Sequence, residues 1–128
     1  MSREIKFRAW DEEEKQFIYS NEEYVDYQWG FENKQLQAWK IIESDSEYEL
    51  YEAIELKSKD QFTGLHDRNG KEIYEGDIIR CPDGWTGEVY WNKNTLQYWA
   101  YNHELTELHQ PEIIGNIYEH KELLEKNE

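Results

Sequence analysis

Cysteine is nearly absent from this chain of 128 residues: Cys81 stands alone, so neither an intrachain disulfide nor a zinc site of several cysteines can form. Proline is also scarce, with two residues, and nothing at the N-terminus reads as a signal peptide. No apolar run approaches the length needed to span a bilayer, which leaves the expectation of a soluble protein in the cytoplasm, away from membranes. Basic residues are few. Lys and Arg total 14 against 29 Asp and Glu, for a formal net charge of −15. The excess is present on both sides of Gly64, so it is a property of the whole chain and not of a tail. Because the bases are scattered singly, phosphate repulsion disfavours direct nucleic acid binding.

The shortage of aliphatic residues would suit disorder, but 20 aromatic residues, six of them Trp, supply large buried areas per side chain. A folded globule with an aromatic core is expected. The length suits one domain, residues 1–128, and there is no internal repeat or composition break.

Alternation and turn signals point to a mainly β fold. "IKFRAW" sets Ile5, Phe7 and Ala9 against Lys6, Arg8 and Trp10, and "QFIYS" follows "DEEEK", which predicts an N-terminal hairpin. Around "WGFENKQ" a loop or a short extra hairpin is expected. "YELYEAIELK" is ambiguous, its Tyr48, Leu50, Ile54 and Leu56 sharing strand parity while its Glu, Leu and Ala content suits a helix. Later, "QFTGL", "GDIIRC", "EVYWN", "TLQYWAYN" and "EIIGNIYE" read as strands, the last interrupted by Gly115. "HKELLEKN" reads as a short terminal helix with Leu123 and Leu124 turned inward.

The segment from Thr63 to Ile79, "TGLHDRNGKEIYEGDII", concentrates the turn chemistry: Gly64, Asp67, Asn69, Gly70, Gly76 and Asp77. Asn69-Gly70 predicts a two-residue hairpin turn with positive φ at both positions, and Asp67 is suited to hydrogen-bond its own backbone and start the bend. Gly76 repeats the device before Ile78 and Ile79. Two turns separated by a short strand are expected here, in preference to a catalytic loop.

This segment resembles the signature of the YopX-like family of phage and prophage proteins. "REIKFRAWDEEEKQFIY", "GEVYWN" and "IIGNIYEHKELL" fit the same resemblance in the same order, whereas the stretch from Asn21 to Glu55 carries no match. His66 and Arg68 stand where the family pattern leads one to expect lysines. The resemblance implies a mainly β fold and a phage or prophage origin, and brings no settled activity. "YEGDIIR", a turn and "GEVYWN" are similar to the opening strands of small SH3-like barrels. The expected architecture is a partly closed SH3-like barrel in the C-terminal half, a packed N-terminal hairpin and a short C-terminal helix.

Catalytic patterns are weak. "HELTELH" fails the zincin spacing, since position 107 is Glu and His109 lies beyond the required interval from His103, so both histidines read as surface groups. Glu72, Glu75 and Asp77 offer carboxylates for a metal-dependent enzyme, but a solvated rim with Asp77 holding a turn is the preferred reading. Cys81 neighbours Asp83, which raises a thiol pKa, and no phosphate-binding glycine loop is present. No cofactor or metal is expected.

Binding patterns are stronger. If Trp91 and Tyr98 face inward, alternation turns Tyr90, Trp99 and Tyr101 outward as an aromatic binding surface for a host or phage protein, or for a second copy of the chain. A second possibility is acidic mimicry of DNA. Extended Glu47, Glu49 and Glu55 would recur at multiples of about 6.6 Å, roughly twice the phosphate spacing along one DNA strand. Acidity serving only solubility is the plainer explanation.

Overall fold

In the computed structural model, residues 5–43, 47 and 51–125 are described, and nearly all their regular structure is strand. The described residues form two compact units, one within residues 6–60 and one of residue 5 with residues 61–125. Each has its own core.

In the first unit, β1 (Phe7–Asp11) and β2 (Gln16–Tyr19) form the expected hairpin, in the register Ala9↔Ile18 and Trp10↔Phe17. β1 lies between β2 and the start of β6 (Lys59–His66), and the Trp10 amide donates to the Ser58 carbonyl at 3.0 Å. Both faces of β1 are nevertheless covered, with Arg8 and Trp10 buried as well as Ala9, against the half-exposed alternation expected. Arg8 tolerates burial because Nε meets Asp60 Oδ2 at 3.3 Å and the guanidinium carbon lies 3.9 Å from the centre of the Phe17 ring.

β3 (Tyr27–Glu32) and β4 (Gln35–Glu43) are the extra hairpin, closed by Asn33 and Lys34, both at positive φ. β5 (Tyr51–Leu56) resolves the helix-strand ambiguity of "YELYEAIELK" for its described residues, because pairing with β4 (Ala38↔Leu56, Lys40↔Ile54) supplies partners a helix would lack. Tyr48 and Leu50 lie outside the described residues. Ala9, Ile18, Tyr27, Ala38 and Leu56 make the core.

Asp11 ties the unit together. Its Oδ1 accepts from the amides of Glu13 and Glu14 in the β1–β2 turn, and its Oδ2 accepts from the Tyr27 hydroxyl at 2.6 Å and faces Lys40 Nζ at 3.2 Å. Burial works to raise its pKa. The bonds from Tyr27, the Glu14 amide and Lys40 outweigh that and hold it below the usual carboxylate range.

In the second unit the remainder of β6 pairs with β7 (Glu72–Tyr74), with Phe62↔Tyr74 in register and an irregularity before His66. β8 (Asp77–Arg80) then pairs with β9 (Thr86–Glu88), and β10 (Tyr90–Asn92) with β11 (Gln97–Ala100). β12 (His103–Glu104), a 3-10 turn at Leu105–Glu107, β13 (Glu112–Asn116) and α1 (Glu122–Glu125) complete it. The sheet orders are β13-β8-β9 and β10-β11-β12. "EVYWN", expected as one strand, is thus two. Val89 stands between them, its amide bonded to the Asp77 carbonyl and its own carbonyl to the Gly76 amide, both at 2.9 Å, and β10 departs to pair with β11. Ile73, Ile79, Val89, Tyr98, Ala100 and Leu105 form the core, and Leu123 and Leu124 of α1 are half-buried as expected.

The 67–71 turn departs from its expected form in one respect. Gly70 takes a φ of +83°, but Asn69 is not at positive φ. The Gly70 amide donates to the Asp67 carbonyl at 2.9 Å and the Asp67 amide to the Lys71 carbonyl at 2.8 Å, so the loop is longer than two residues and needs one left-handed position. "PDGWTG" uses the same pattern, Gly84 to Cys81 and Cys81 to Trp85, with Gly84 at +100°. Gly64 and Gly76 are also at positive φ.

The buried Asp67 carboxylate governs this turn. Oδ1 accepts from the amides of Asn69 and Lys71, each at 2.9 Å, and Oδ2 accepts from the amide of Ile113 in β13 at 3.0 Å. Burial opposes the charge, but the three amides outweigh it and hold the pKa below the usual range.

Gly70→Val forces a β-branched residue into the left-handed region, where L-residues cost roughly 1–2 kcal/mol each. No neighbouring atom lies within 4 Å of a Cβ added there, so the loss is conformational and not steric. Thermal denaturation should show a midpoint lower by several degrees, and an unchanged midpoint would refute this account of the turn. Asp67→Asn should cost about 1–3 kcal/mol by leaving the Ile113 amide without its acceptor. Both Asp11 and Asp67 have depressed folded pKa values, so their stabilisation is full above the unfolded value near 3.9 and is lost as pH falls through it toward the folded values. Urea melts should therefore weaken as pH falls below about 5, with a shallower pH dependence in Asp67→Asn.

Candidate functional site

The β10–β11 hairpin carries the candidate surface. Register sets Tyr90 opposite Trp99 and Trp91 opposite Tyr98, so each pair shares a face. Tyr98 belongs to the core, and Trp91 meets it edge-on, with ring centres 4.9 Å apart, while remaining exposed. On the other face Tyr90 is exposed and Trp99 half-buried, the indole Nε1 donating to Thr95 Oγ1 at 2.9 Å.

Tyr101 leaves this pattern. β11 ends at Ala100, and Tyr101 and Asn102 both take positive φ in the turn to β12, so strand alternation no longer fixes the direction of the Tyr101 side chain. Its ring stacks on Trp85 at 4.8 Å, and Trp85 also faces His103 at 5.6 Å. Gly87 permits this approach, since a Cβ there would lie 2.8 Å from the backbone nitrogen of Tyr101. Of the three rings expected to form one surface, register joins Tyr90 and Trp99, and Tyr101 belongs to a second stack.

Beside the hairpin lies a groove of about 210 Å³ lined by Leu65, Trp91, Leu96, Tyr98 and Leu105 among others. Leu96 is 69% exposed at a φ of +57°, which places an apolar side chain at the tip of a turn. Sequence reading had no means to locate this groove, because it joins β6, the hairpin and the 3-10 turn. The available signal was a leucine within the polar turn "NKNTLQ".

The acidic candidates serve structure. Glu75 Oε1 accepts from the Gln61 amide at 2.7 Å, Asp77 Oδ2 from the Tyr74 amide at 2.8 Å and Glu72 Oε1 from the Tyr74 hydroxyl at 3.3 Å. The first two bonds tie the end of β7 to β6 and β8, and the third lies within β7. No group of three or more His, Cys, Asp or Glu among the described residues is placed to hold a metal ion. Cys81 is buried, and burial, with Asp83 adding to it, pushes its thiol pKa up, away from the reactive thiolate. Burial likewise raises the carboxyl of Glu88, with Lys121 opposing. His103 and His109 are exposed. Glu47 and Glu55 are exposed too, and Glu49 lies outside the described residues.

Among known proteins, no curated sequence matches the chain. The crystal structure of protein EF1440 from Enterococcus faecalis is similar, with 28% identity and a TM-score of 0.62 over 96% of this chain and 99% of that one. The model of the YopX protein family matches residues 6–125, which takes in every described strand of both units. The chain therefore belongs to the YopX family.

Proposed function

We propose that this chain is a non-enzymatic accessory domain of phage or prophage origin, working in the cytoplasm of a bacterial host through protein contacts made by the β10–β11 hairpin. The observation that carries this reading is the exposure of Tyr90, Trp91 and Leu96 on one hairpin beside an apolar groove, while Glu72, Glu75 and Asp77 are engaged in hydrogen bonds within and around β7. Aromatic and aliphatic anchors beside a recess are what protein interfaces bury. In the same reading, the strands from β8 to β13 are the partly closed SH3-like barrel, supported by the bend at Val89 where β9 passes into β10.

The contact takes either a second copy or a host or phage protein. Light scattering over a wide concentration range separates them: self-association raises the mass above 15.7 kDa, and Leu96→Ser, at an exposed position, should then weaken it by about tenfold. A constant monomer mass eliminates the second copy. Affinity capture from the host must then recover a protein that Leu96→Ser fails to retain, and equal retention by the variant would refute the hairpin as the contact.

A further inference from the structure

We propose that the second unit binds the phosphate group of a small phosphate monoester in a pocket of about 350 Å³ lined by Arg68, Arg80, Cys81, Pro82, Gly84 and Glu112. The chain has four arginines. Of the three among the described residues, Arg8 is buried on Asp60, and the other two line this one pocket. A chain so acidic, with its bases otherwise scattered, thus brings two guanidinium groups together.

Two features of the fold achieve this. The Asp67 carboxylate and the bond from the Arg68 amide to the Pro111 carbonyl at 2.9 Å seat the 67–71 turn on β13. The β13–β8 register pairs Glu112 with Arg80. Glu112 then stands between the cations on unequal terms: Oε2 meets Arg68 at 3.1 Å, and Oε1 lies 4.0 Å from Arg80. The longer separation is an ion pair without a hydrogen bond. The Arg80 guanidinium, half-exposed, therefore retains its donors for an incoming oxyanion.

The chemistry favours phosphate over carboxylate. A planar carboxylate has two oxygens, which one guanidinium fork or, as in Glu112, one contact to each arginine uses up, whereas a phosphate monoester presents three oxygens to guanidiniums on different elements. The pocket volume falls within the range of small-ligand sites. Gly84 contributes no side chain, and no neighbouring atom lies within 4 Å of a Cβ added there. With Glu112 counted, the three charged lining groups sum to +1, and Asp83, near enough to act on the Cys81 thiol, and the −15 of the whole chain oppose an anion and keep affinity modest. The pocket shares no lining residue with the groove at the aromatic hairpin, so its fate is independent of the protein-binding proposal.

The test is amide chemical-shift titration of the full chain with inorganic phosphate, glycerol phosphate, acetate and sodium chloride at matched ionic strength. Phosphate and glycerol phosphate should both give saturable shifts centred on Arg68, Arg80 and Gly84, with glycerol phosphate at least as tight. Arg80→Gln, which removes a side chain held by no hydrogen bond, should weaken both by about tenfold at unchanged melting temperature. Glu112→Gln, which removes the competing carboxylate, should tighten them. Shifts from chloride equal to those from phosphate would overturn the proposal, as would equal binding of acetate or undiminished binding in Arg80→Gln. Binding of inorganic phosphate without glycerol phosphate would overturn the monoester assignment.

Discussion

Much of the second unit depends on a single buried carboxylate. Asp67 accepts three backbone amides, two from its own turn and one from Ile113, 46 residues away. Removing a carboxylate from water is costly, and an amide side chain offers one acceptor oxygen where this site needs two. The ionised form answers both demands, because charge-assisted bonds from backbone amides compensate the lost hydration. Since one oxygen shapes the turn and the other fixes β13, the turn and the strand cannot form in unrelated positions. The β13–β8 register and the approach of Arg68 to Glu112 accompany that same constraint.

The first unit applies the same logic independently. Asp11 shapes the β1–β2 turn through the amides of Glu13 and Glu14 and reaches Tyr27 and Lys40 with its other oxygen. Asn92 and Asn116 hold later bends in a related way, each accepting two following amides. Such side-chain brackets matter in a chain with seven glycines and two prolines, where Lys15, Asn33, Lys34, Leu96, Tyr101, Asn102 and Gln110 all occupy left-handed backbone. Each of those positions costs energy that a glycine would avoid. Local hydrogen bonds and strand pairing offset it.

What was legible in the sequence was local. The N-terminal hairpin, the turn role of Asp67 and Gly70, the interruption at Gly115 and the terminal helix all announce themselves within a few residues. What was not legible depended on distant partners. β1 is buried on both faces, Arg8 against Asp60 and the Phe17 ring and Trp10 against Phe17 as well, contacts that its own alternation cannot show. β5 is a strand because β4 offers it a ladder. "EVYWN" divides at Val89 because β8 and β11 compete for its two ends, and Tyr101 departs from strand parity because Tyr101 and Asn102 turn the chain. The candidate site suffered most, since the groove and the arginine pocket each draw on segments far apart in sequence.

These observations change what the composition means. An excess of acid invites a functional reading, but Asp11, Asp67, Glu75 and Asp77 are internal acceptors for backbone amides, so part of the acidity is used in place of glycine-rich turns. The more telling residues are those that local structure does not require. Leu96 at a turn tip satisfies no core and accepts strain to be there. The Arg80 side chain stands 4.0 Å from Glu112, beyond hydrogen-bond reach, yet Arg80 lines the same pocket as Arg68. Where several acids are taken up by turns and strand ends, side chains that cost stability or serve no packing are the ones whose presence the fold itself does not explain.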